Sequence, residues 1–286
     1  VIITNIYPTH LEKLINTKNI AEEKADIFNP KYNKKVELAI LPLGNKDEKK
    51  IVEKAYNLNI FKIITFGKNS KSDLKIDKII SYDRINSTVL LKYKKKQFLN
   101  IINNDQITKI NNILACLGIF LFNNIDANNL LLKAKRIPLI QGRGLKHKIK
   151  IKNHKLLFID ESYNASPKSM ESTIDYVNNL KTNKNQKKIV ILGDMKELGK
   201  DSLKFHIDLL KYISKKNMDN IILCGELMQI ALEKNINNKF MLINSKKLIL
   251  DYLEKNIRNN DIIFVKGSNS SLTNNLASDL LKRKVT

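Results

Sequence analysis

The chain of 286 residues has no tryptophan and only two cysteines, Cys116 and Cys224. Both cysteines sit in apolar runs without a partner nearby in sequence. That excludes a disulfide framework or a zinc site and fits a reducing cytoplasm. Long apolar runs are also missing. The longest, Ile113–Phe122, is far short of the roughly 18–20 residues that span a bilayer, so it reads as a buried helix and no membrane partner is expected. The first residues lack the basic-then-apolar order of a signal peptide. Acidic residues are scarce against basic ones: 28 Asp and Glu face 51 Lys and Arg, a formal charge of +23. Such a balance raises nucleic acid as a partner. The lysines, however, are spread along the chain, with modest runs at Lys94–Lys96 and Lys146–Lys155. Aromatic residues are not interleaved with them as a base-stacking platform requires. Lys, Asn and Ile are abundant while Arg and Gly are sparse, the usage an AT-rich coding sequence produces. The charge is therefore read as compositional drift, with some attraction for anionic substrates such as nucleotides, and no nucleic-acid partner is expected.

A phosphate-binding loop is absent too. That loop needs Gly-x4-Gly-Lys-Ser/Thr, so that backbone amides surround the phosphates and a hydroxyl meets magnesium. The nearest string, GDMKELGKD at Gly193–Asp201, has five residues between its glycines and puts Asp201 where the hydroxyl belongs. It reads as a strand–helix turn with Asp194 and Glu197 at its mouth.

What is present alternates strand and helix. Val1–Thr4 reads as a buried strand, so the chain is expected to open inside a domain, after an N-terminal portion. A helix is expected at about Ile20–Asn29. Val36–Leu41 and Phe61–Phe66 read as buried strands around a helix at Asp47–Leu58. Ile79–Tyr82, Ser87–Tyr93 and Gln97–Ile102 read as an antiparallel edge, followed by helices at Ile107–Asn123 and Asp126–Ala134. Paired strands are expected near His147–Ile151 and Lys155–Ile159. In the second half, Ser166 is a good N-cap and Pro167 suits the first helical position. Met170, Ile174, Val177 and Leu180 then repeat at helical spacing. Three apolar runs, Ile189–Leu192, Ile221–Cys224 and Ile262–Val265, each end near a glycine before a helix. Continuous apolar runs between helices predict a parallel sheet covered on both faces, with ligands at the carboxyl ends of its strands. Two domains are expected, 1–153 and 154–286, with the boundary near residues 152–156.

Several residues stand out chemically. Ile20, Lys24 and Phe28 share one helical stripe, with Ile27 beside them. A lysine there either snorkels to solvent or is desolvated with a depressed pKa. A neutral amine can take up carbon dioxide, and the resulting carbamate is an oxygen ligand suited to magnesium. His10 precedes that helix and would be its companion. His147 and His154 lie in a basic stretch with no visible partner, and His206 is either core or mouth-facing. Asp160–Pro167 (DESYNASP) is the densest polar cluster, at a strand's end and a helix's start. Asp160 and Glu161 suit a ribose hydroxyl or hydrated metal, Ser162 and Asn164 offer neutral hydrogen bonds, and Tyr163 offers a flat face. Arg143, between Gly142 and Gly144, suits bidentate phosphate binding in a chain where drift favours lysine. Lys266-Gly267-Ser268 ends a buried strand and opens a helix, where backbone amides suit an anion.

Taken together these strings resemble the Mur ligase family. The carrying segments are TNIYPTHLE at Thr4–Glu12, EEKADIF at Glu22–Phe28, GRG at Gly142–Gly144, DESYNASPKSM at Asp160–Met170, GDMKELG at Gly193–Gly199 and VKGSNS at Val265–Ser270. They span almost the whole chain in the family's order, and DESYNASP with GDMKELG is highly specific. The resemblance implies an α/β fold: the later part of a central ATPase domain, then a Rossmann-like C-terminal domain with a mostly parallel sheet. It implies a cytoplasmic, monomeric, ATP- and Mg2+-dependent amide ligase of cell-wall synthesis. The substrates would be UDP-N-acetylmuramoyl-tripeptide and D-alanyl-D-alanine. His10 and carbamylated Lys24 would hold magnesium and serve catalysis with Arg143. Arg143, Asp160, Glu161, Tyr163, Asn164 and Asn45 would face ATP, with Glu161 at the ribose. Ser162, Lys266 and Ser268 would bind substrate. The phosphate loop and the UDP-binding domain would precede Val1, and this portion would be inactive alone. Other readings are a basic binding protein that kept the fold, or a folylpolyglutamate- or cyanophycin-type ligase, which DESYNASP disfavours. Three departures weigh on the nucleotide and substrate contacts: Pro42 where the family has an adenine-contacting asparagine, with Asn45 three residues on; Gln106 for a histidine; and Asn269 for an arginine.

Overall fold

A computed structural model describes the chain except residues 10, 34, 83–85, 104–109, 135–139, 181, 184, 217, 219, 235–238 and 286. His10 and Gln106 therefore lie outside the described residues. The chain divides into two compact units, Val1–Pro138 and Leu139–Thr286. The division comes earlier than residues 152–156, because the strand Leu145–Ile151 pairs with the second unit's sheet and carries its hairpin there.

In the first unit the elements run α1 (Leu11–Leu14), α2 (Thr17–Ala25), β1 (Ala39–Pro42), α3 (Lys46–Asn57), β2 (Ile63–Gly67), β3 (Leu74–Tyr82), β4 (Asn86–Tyr93), β5 (Lys96–Asn103), α4 (Ile110–Phe122) and α5 (Ala127–Ala134). The sheet order is β1-β2-β3-β4-β5, parallel through β3 and antiparallel beyond it. Val1–Thr4 is not a regular strand. Ile2 makes a single parallel bridge to Ile40, with Ile3 N–H donating to Ile40 O at 3.1 Å. The helix expected to reach Asn29 stops at Ala25 and tightens into a 3-10 turn, Asp26–Phe28. Asn29 precedes Pro30 and is extended, as the proline ring requires. The tighter winding moves side chains off the helical stripe, so Phe28 stays buried while Ile27 is exposed. Ile40, Phe66, Leu74, Val89, Leu91, Leu114 and Leu117 form the core.

The second unit runs β6 (Leu145–Ile151), β7 (His154–Glu161), α6 (Pro167–Asn179), β8 (Lys188–Gly193), α7 (Ser202–Ser214), β9 (Asn220–Cys224), α8 (Glu226–Glu233), β10 (Phe240–Leu242), α9 (Lys246–Asn256), β11 (Ile262–Lys266) and α10 (Leu272–Leu281). Its sheet order is β10-β9-β8-β11-β7-β6, parallel except for β6 at the edge. The strands are apolar on both faces because both are covered. Met170, Ile174, Leu210, Ile213 and Met228 of α6, α7 and α8 close one side. Ile249, Leu253, Leu276 and Leu280 of α9 and α10 close the other. The last strand, β11, enters between β7 and β8. The DESYNASP, KGS and GDMKELG segments thus leave three adjacent parallel strands at the same end.

Candidate active site

At the end of β7 the two acids diverge, as neighbours on a strand must. Asp160 is turned inward and is 1% exposed. Its carboxylate accepts from Gly142 N–H at 3.0 Å, Ser162 N–H at 3.1 Å and Ser162 Oγ at 2.7 Å. Gly144 N–H donates to Asp160 O at 2.7 Å and Tyr163 N–H to Gly142 O at 3.2 Å. The Gly142–Gly144 turn is thereby clamped to the strand end. Gly142 has φ +73°, and a Cβ there would stand 2.8 Å from Tyr163 Cβ, so the turn needs glycine on both counts. The clamp sets the Arg143 guanidinium over the Tyr163 ring, 4.6 Å from its centroid. Tyr163 is 48% exposed and presents its ring to solvent.

Glu161 lies on the other face. Its Oε2 accepts from Thr173 Oγ1 of α6 at 2.7 Å and from Lys266 Nζ of β11 at 3.0 Å. Lys266 sits directly opposite Glu161 in the β7–β11 register and is 4% exposed. Its ammonium also donates to Asn164 O at 3.0 Å, fixing the backbone beyond Tyr163. Ser268 is buried, and its hydroxyl accepts from Lys196 N–H at 2.9 Å. Its own N–H donates to Asp194 O at 3.1 Å. The DESYN, KGS and GDMKELG segments are thus stitched into one largely buried polar cluster at the strand ends. Ser166 opens α6, its N–H donating to Ser169 Oγ at 2.9 Å, with Pro167 in the first turn.

Asp194, from the GDMKELG turn, does not face solvent at the mouth. It accepts from Met228 N–H at 2.9 Å and Leu227 N–H at 3.4 Å, capping α8. Gly225 precedes that helix with φ +120°, and a Cβ there would collide with the Asp194 carboxylate. His206 is a core residue, 0% exposed. Its Nε2 accepts from Met195 N–H at 2.9 Å.

The first unit holds the remaining described residues. Lys24 is half-buried on α2, and its ammonium donates to Asn5 O at 3.0 Å. Burial pushes its pKa below the ordinary lysine value, against an opposing pull from Glu23. Asn45 is the N-cap of α3: its Oδ1 accepts from Asp47 N–H and Glu48 N–H, both at 3.0 Å. Its Nδ2 donates to Ile6 O at 3.4 Å, so the amide is engaged on both sides. Glu48 closes the capping box, accepting from Asn45 N–H at 3.0 Å. Among the described residues no group of three or more His, Cys, Asp or Glu side chains is placed to hold a metal ion. No helix among them is long and apolar enough to cross a membrane.

Thr173, which holds Glu161, and buried Glu48 were not singled out by sequence. A lone threonine inside a helix carries no local signal. Glu48 had one: Asn45 followed three residues later by Glu is a capping-box spacing.

Residues 1–120 match the family model of the Mur ligase middle domain, and residues 148–269 that of the Mur ligase glutamate ligase domain. The chain is 31% identical over 275 residues to the UDP-N-acetylmuramoyl-tripeptide–D-alanyl-D-alanine ligase of Rickettsia prowazekii, covering 93% of this chain and 57% of that protein. It is 24% identical over 285 residues to the ligase of the same name from Bacillus subtilis, covering 98% of this chain and 59% of that one. The chain thus spans less than two thirds of these relatives' length. Its fold matches MurF from Acinetobacter baumannii with a TM-score of 0.78 at 22% identity, covering 98% of this chain and 59% of that one. It matches the MurF ligase of Thermotoga maritima in complex with ADP with a TM-score of 0.77 at 21% identity, covering 99% and 62%.

Proposed function

This chain belongs to the Mur ligase family, and from that premise we propose that it is part of an ATP-dependent ligase joining D-alanyl-D-alanine to UDP-N-acetylmuramoyl-tripeptide in peptidoglycan precursor synthesis. The observation that carries the reading is the polar cluster at the ends of β7, β11 and β8, where Arg143, Glu161, Tyr163, Lys266 and Ser268 are held by one another's neighbours. The names of the relatives at 31% and 24% identity support the choice of substrates.

In this reading the tripeptide's terminal carboxylate attacks the γ-phosphorus of ATP, and ADP leaves. The amine of D-alanyl-D-alanine then attacks the acyl phosphate, a tetrahedral intermediate forms, phosphate departs and the amine loses its proton. Arg143 offers a fork of donors to phosphate oxygens, preset by its stacking on Tyr163. Glu161, fixed by Thr173 and Lys266, accepts a ribose hydroxyl. Asp160 and Ser162 serve by holding the Gly142 turn, and Asn164 through the backbone oxygen that Lys266 fixes. Asn45 serves by setting the start of α3. Ser268 and Lys266 form the amine-binding side. Magnesium fits Lys24 only as a carbamate, since an ammonium has no lone pair to give. The half-buried amine with its depressed pKa suits carbon dioxide uptake, and His10 is the proposed companion ligand. The metal, when bound, neutralises charge developing on the phosphates. Two unpaired thiols fit a cytoplasmic setting.

These 286 residues contain no phosphate loop, so the chain alone is expected to bind Mg-ATP no better than millimolar and to ligate nothing. Calorimetric titration checks the first point, and micromolar binding overturns it. The ligase reading is tested in a chimera that joins the remaining segment of a relative, with its phosphate loop, ahead of Val1. Phosphate release dependent on D-alanyl-D-alanine is expected, with loss in Lys24→Ala and partial return on adding a short carboxylic acid. A folded chimera that releases no phosphate sinks the reading, and full activity of Lys24→Ala sinks the carbamate.

A further inference from the structure

We propose that His206 is a positioning residue whose neutral ring holds the 193–199 turn against Ser268, and whose protonation releases that turn. The proposal rests on the ligase reading to the extent that Ser268 lies on the amine-binding side.

The hydrogen bonds fix the ring's state. Nδ1 faces Ser202 O at 2.7 Å, and a carbonyl oxygen only accepts, so Nδ1 carries the hydrogen. Nε2 faces Met195 N–H at 2.9 Å, and a backbone amide only donates, so Nε2 must keep its lone pair. Both bonds together are possible for one neutral tautomer alone. The residues on either side of Met195 are the two that bind Ser268. Lys196 N–H donates to Ser268 Oγ at 2.9 Å, and Ser268 N–H donates to Asp194 O at 3.1 Å. His206 therefore acts on Ser268 through two peptide units.

A proton on Nε2 would set two donors against each other and leave the Met195 N–H without its acceptor. The acceptor within reach of the new N–H is Asp194 Oδ1, 3.8 Å from Nε2. That oxygen already caps α8 through Met228 N–H, so attraction to the imidazolium competes with the cap. One proton thus alters the Met195 bond, the α8 cap and, through Lys196, the Ser268 contact.

Among the described residues, few charges act on the ring. Asp194 acts on the ring from the end of β8 and favours protonation. Cys224 on β9 interacts with Asp194, but burial pushes its thiol up to about 12 and it stays neutral. Asp175 on α6, which packs against α7, is taken up by Tyr212 Oη and Lys216 Nζ, each at 2.6 Å. The Lys196 ammonium donates to Ser270 O at 3.0 Å. Burial outweighs these pulls and lowers the His206 pKa below the ordinary histidine range. The held turn is therefore fully present above the unfolded-chain value near 6.5 and is lost as pH falls through the folded value.

The test is amide hydrogen exchange on the full chain, read as protection factors for Met195 and Lys196 across the acidic range. In the wild type both should lose protection by about tenfold on acidification, the worth of roughly one hydrogen bond. In His206→Gln an amide oxygen replaces Nε2 and does not titrate, so protection should persist through the same range. In His206→Leu protection should be low at every pH. Wild-type protection that ignores pH, or a Leu variant as protected as the wild type, overturns the proposal. If the Leu variant does not fold, the comparison of wild type with Gln decides. The readout needs no ligation, so its failure and the failure of the ligase reading are told apart.

Discussion

Glu48 shows how one residue can be structurally required and electrostatically costly at once. It is buried at the start of α3, and burial raises its pKa above the ordinary carboxylate value, although backbone amides of Asn45, Ile6 and Gly44 pull it down. A raised folded-state pKa means that Glu48 contributes its full stability below the unfolded value near 4.3 and loses it as pH rises through the folded value. Glu48→Gln keeps an acceptor without the charge. Its urea midpoint should gain on the wild type as pH rises from 4 toward 7, in the window set by the raised pKa. A midpoint difference that stays flat with pH would remove this account. Glu48→Ala, which strips the acceptor from those amides, should cost about 1–3 kcal/mol near pH 4 and less as pH rises. Glu161 is the contrasting case. It too leaves solvent in part, but Lys266 and Thr173 meet it, so the charge is paired where it stands.

At the scale of elements, Asn45 separates two meanings of a polar residue near a strand end. By family resemblance it would face ATP, three residues after Pro42, which stands where the family has its adenine-contacting asparagine. In the structure it caps α3, with Oδ1 taken by two helix amides. Asn45→Ala should lower stability by about 1 kcal/mol, while Asn45→Asp should keep most of it. Thermal melting checks both, and an Ala variant as stable as the wild type argues against the cap. Much of the element pattern was legible in sequence because each buried parallel strand is a run of apolar residues with a turn behind it. The runs at Ile189–Leu192, Ile221–Cys224 and Ile262–Val265 appear as β8, β9 and β11. Phe240–Leu242 was missed because three residues carry no period. The start of β3 at Leu74 was missed because two register shifts, at Ile76/Lys78 and Ile79/Ser81, break the alternation. The domain boundary was placed too late because strand pairing of β6 is a non-local fact. The site divides the same way. Arg143, Asp160–Asn164 and Lys266–Ser268 could be named from local strings. That Lys266 meets Glu161, and that Asp160 turns inward to clamp Gly142, depends on the β7–β11 register and on the turn's path, neither of which a linear string contains.

At the scale of the whole molecule, the open matter is the excess of 51 basic over 28 acidic residues. A nucleic-acid surface would gather that charge on one face and set aromatic rings among it. The structure shows a different use for part of it. On β6, the edge strand of the second sheet, exposed Lys146, Lys148 and Lys150 alternate with buried His147, Ile149 and Ile151. The chain's own end already covers part of that edge, with Lys150 N–H donating to Arg283 O at 2.9 Å and Val285 N–H to Lys148 O at 3.1 Å, and the lysines discourage pairing with another chain's strand along the rest. Other lysines are spent singly: Lys188 on three carbonyls at the end of α6, Lys216 on Asp175, Lys246 on Asp279. Charge dispersed in this manner attracts DNA only through its net sum, and salt screens that sum within about 8 Å at physiological ionic strength. Duplex DNA should therefore bind measurably at low salt and fall away steeply toward physiological salt, without sequence preference. Fluorescence anisotropy with a labelled duplex checks this across a salt series. Sub-micromolar affinity that persists at physiological salt would mean that the basic surface is organised for nucleic acid, and the drift reading of the charge would have to be given up.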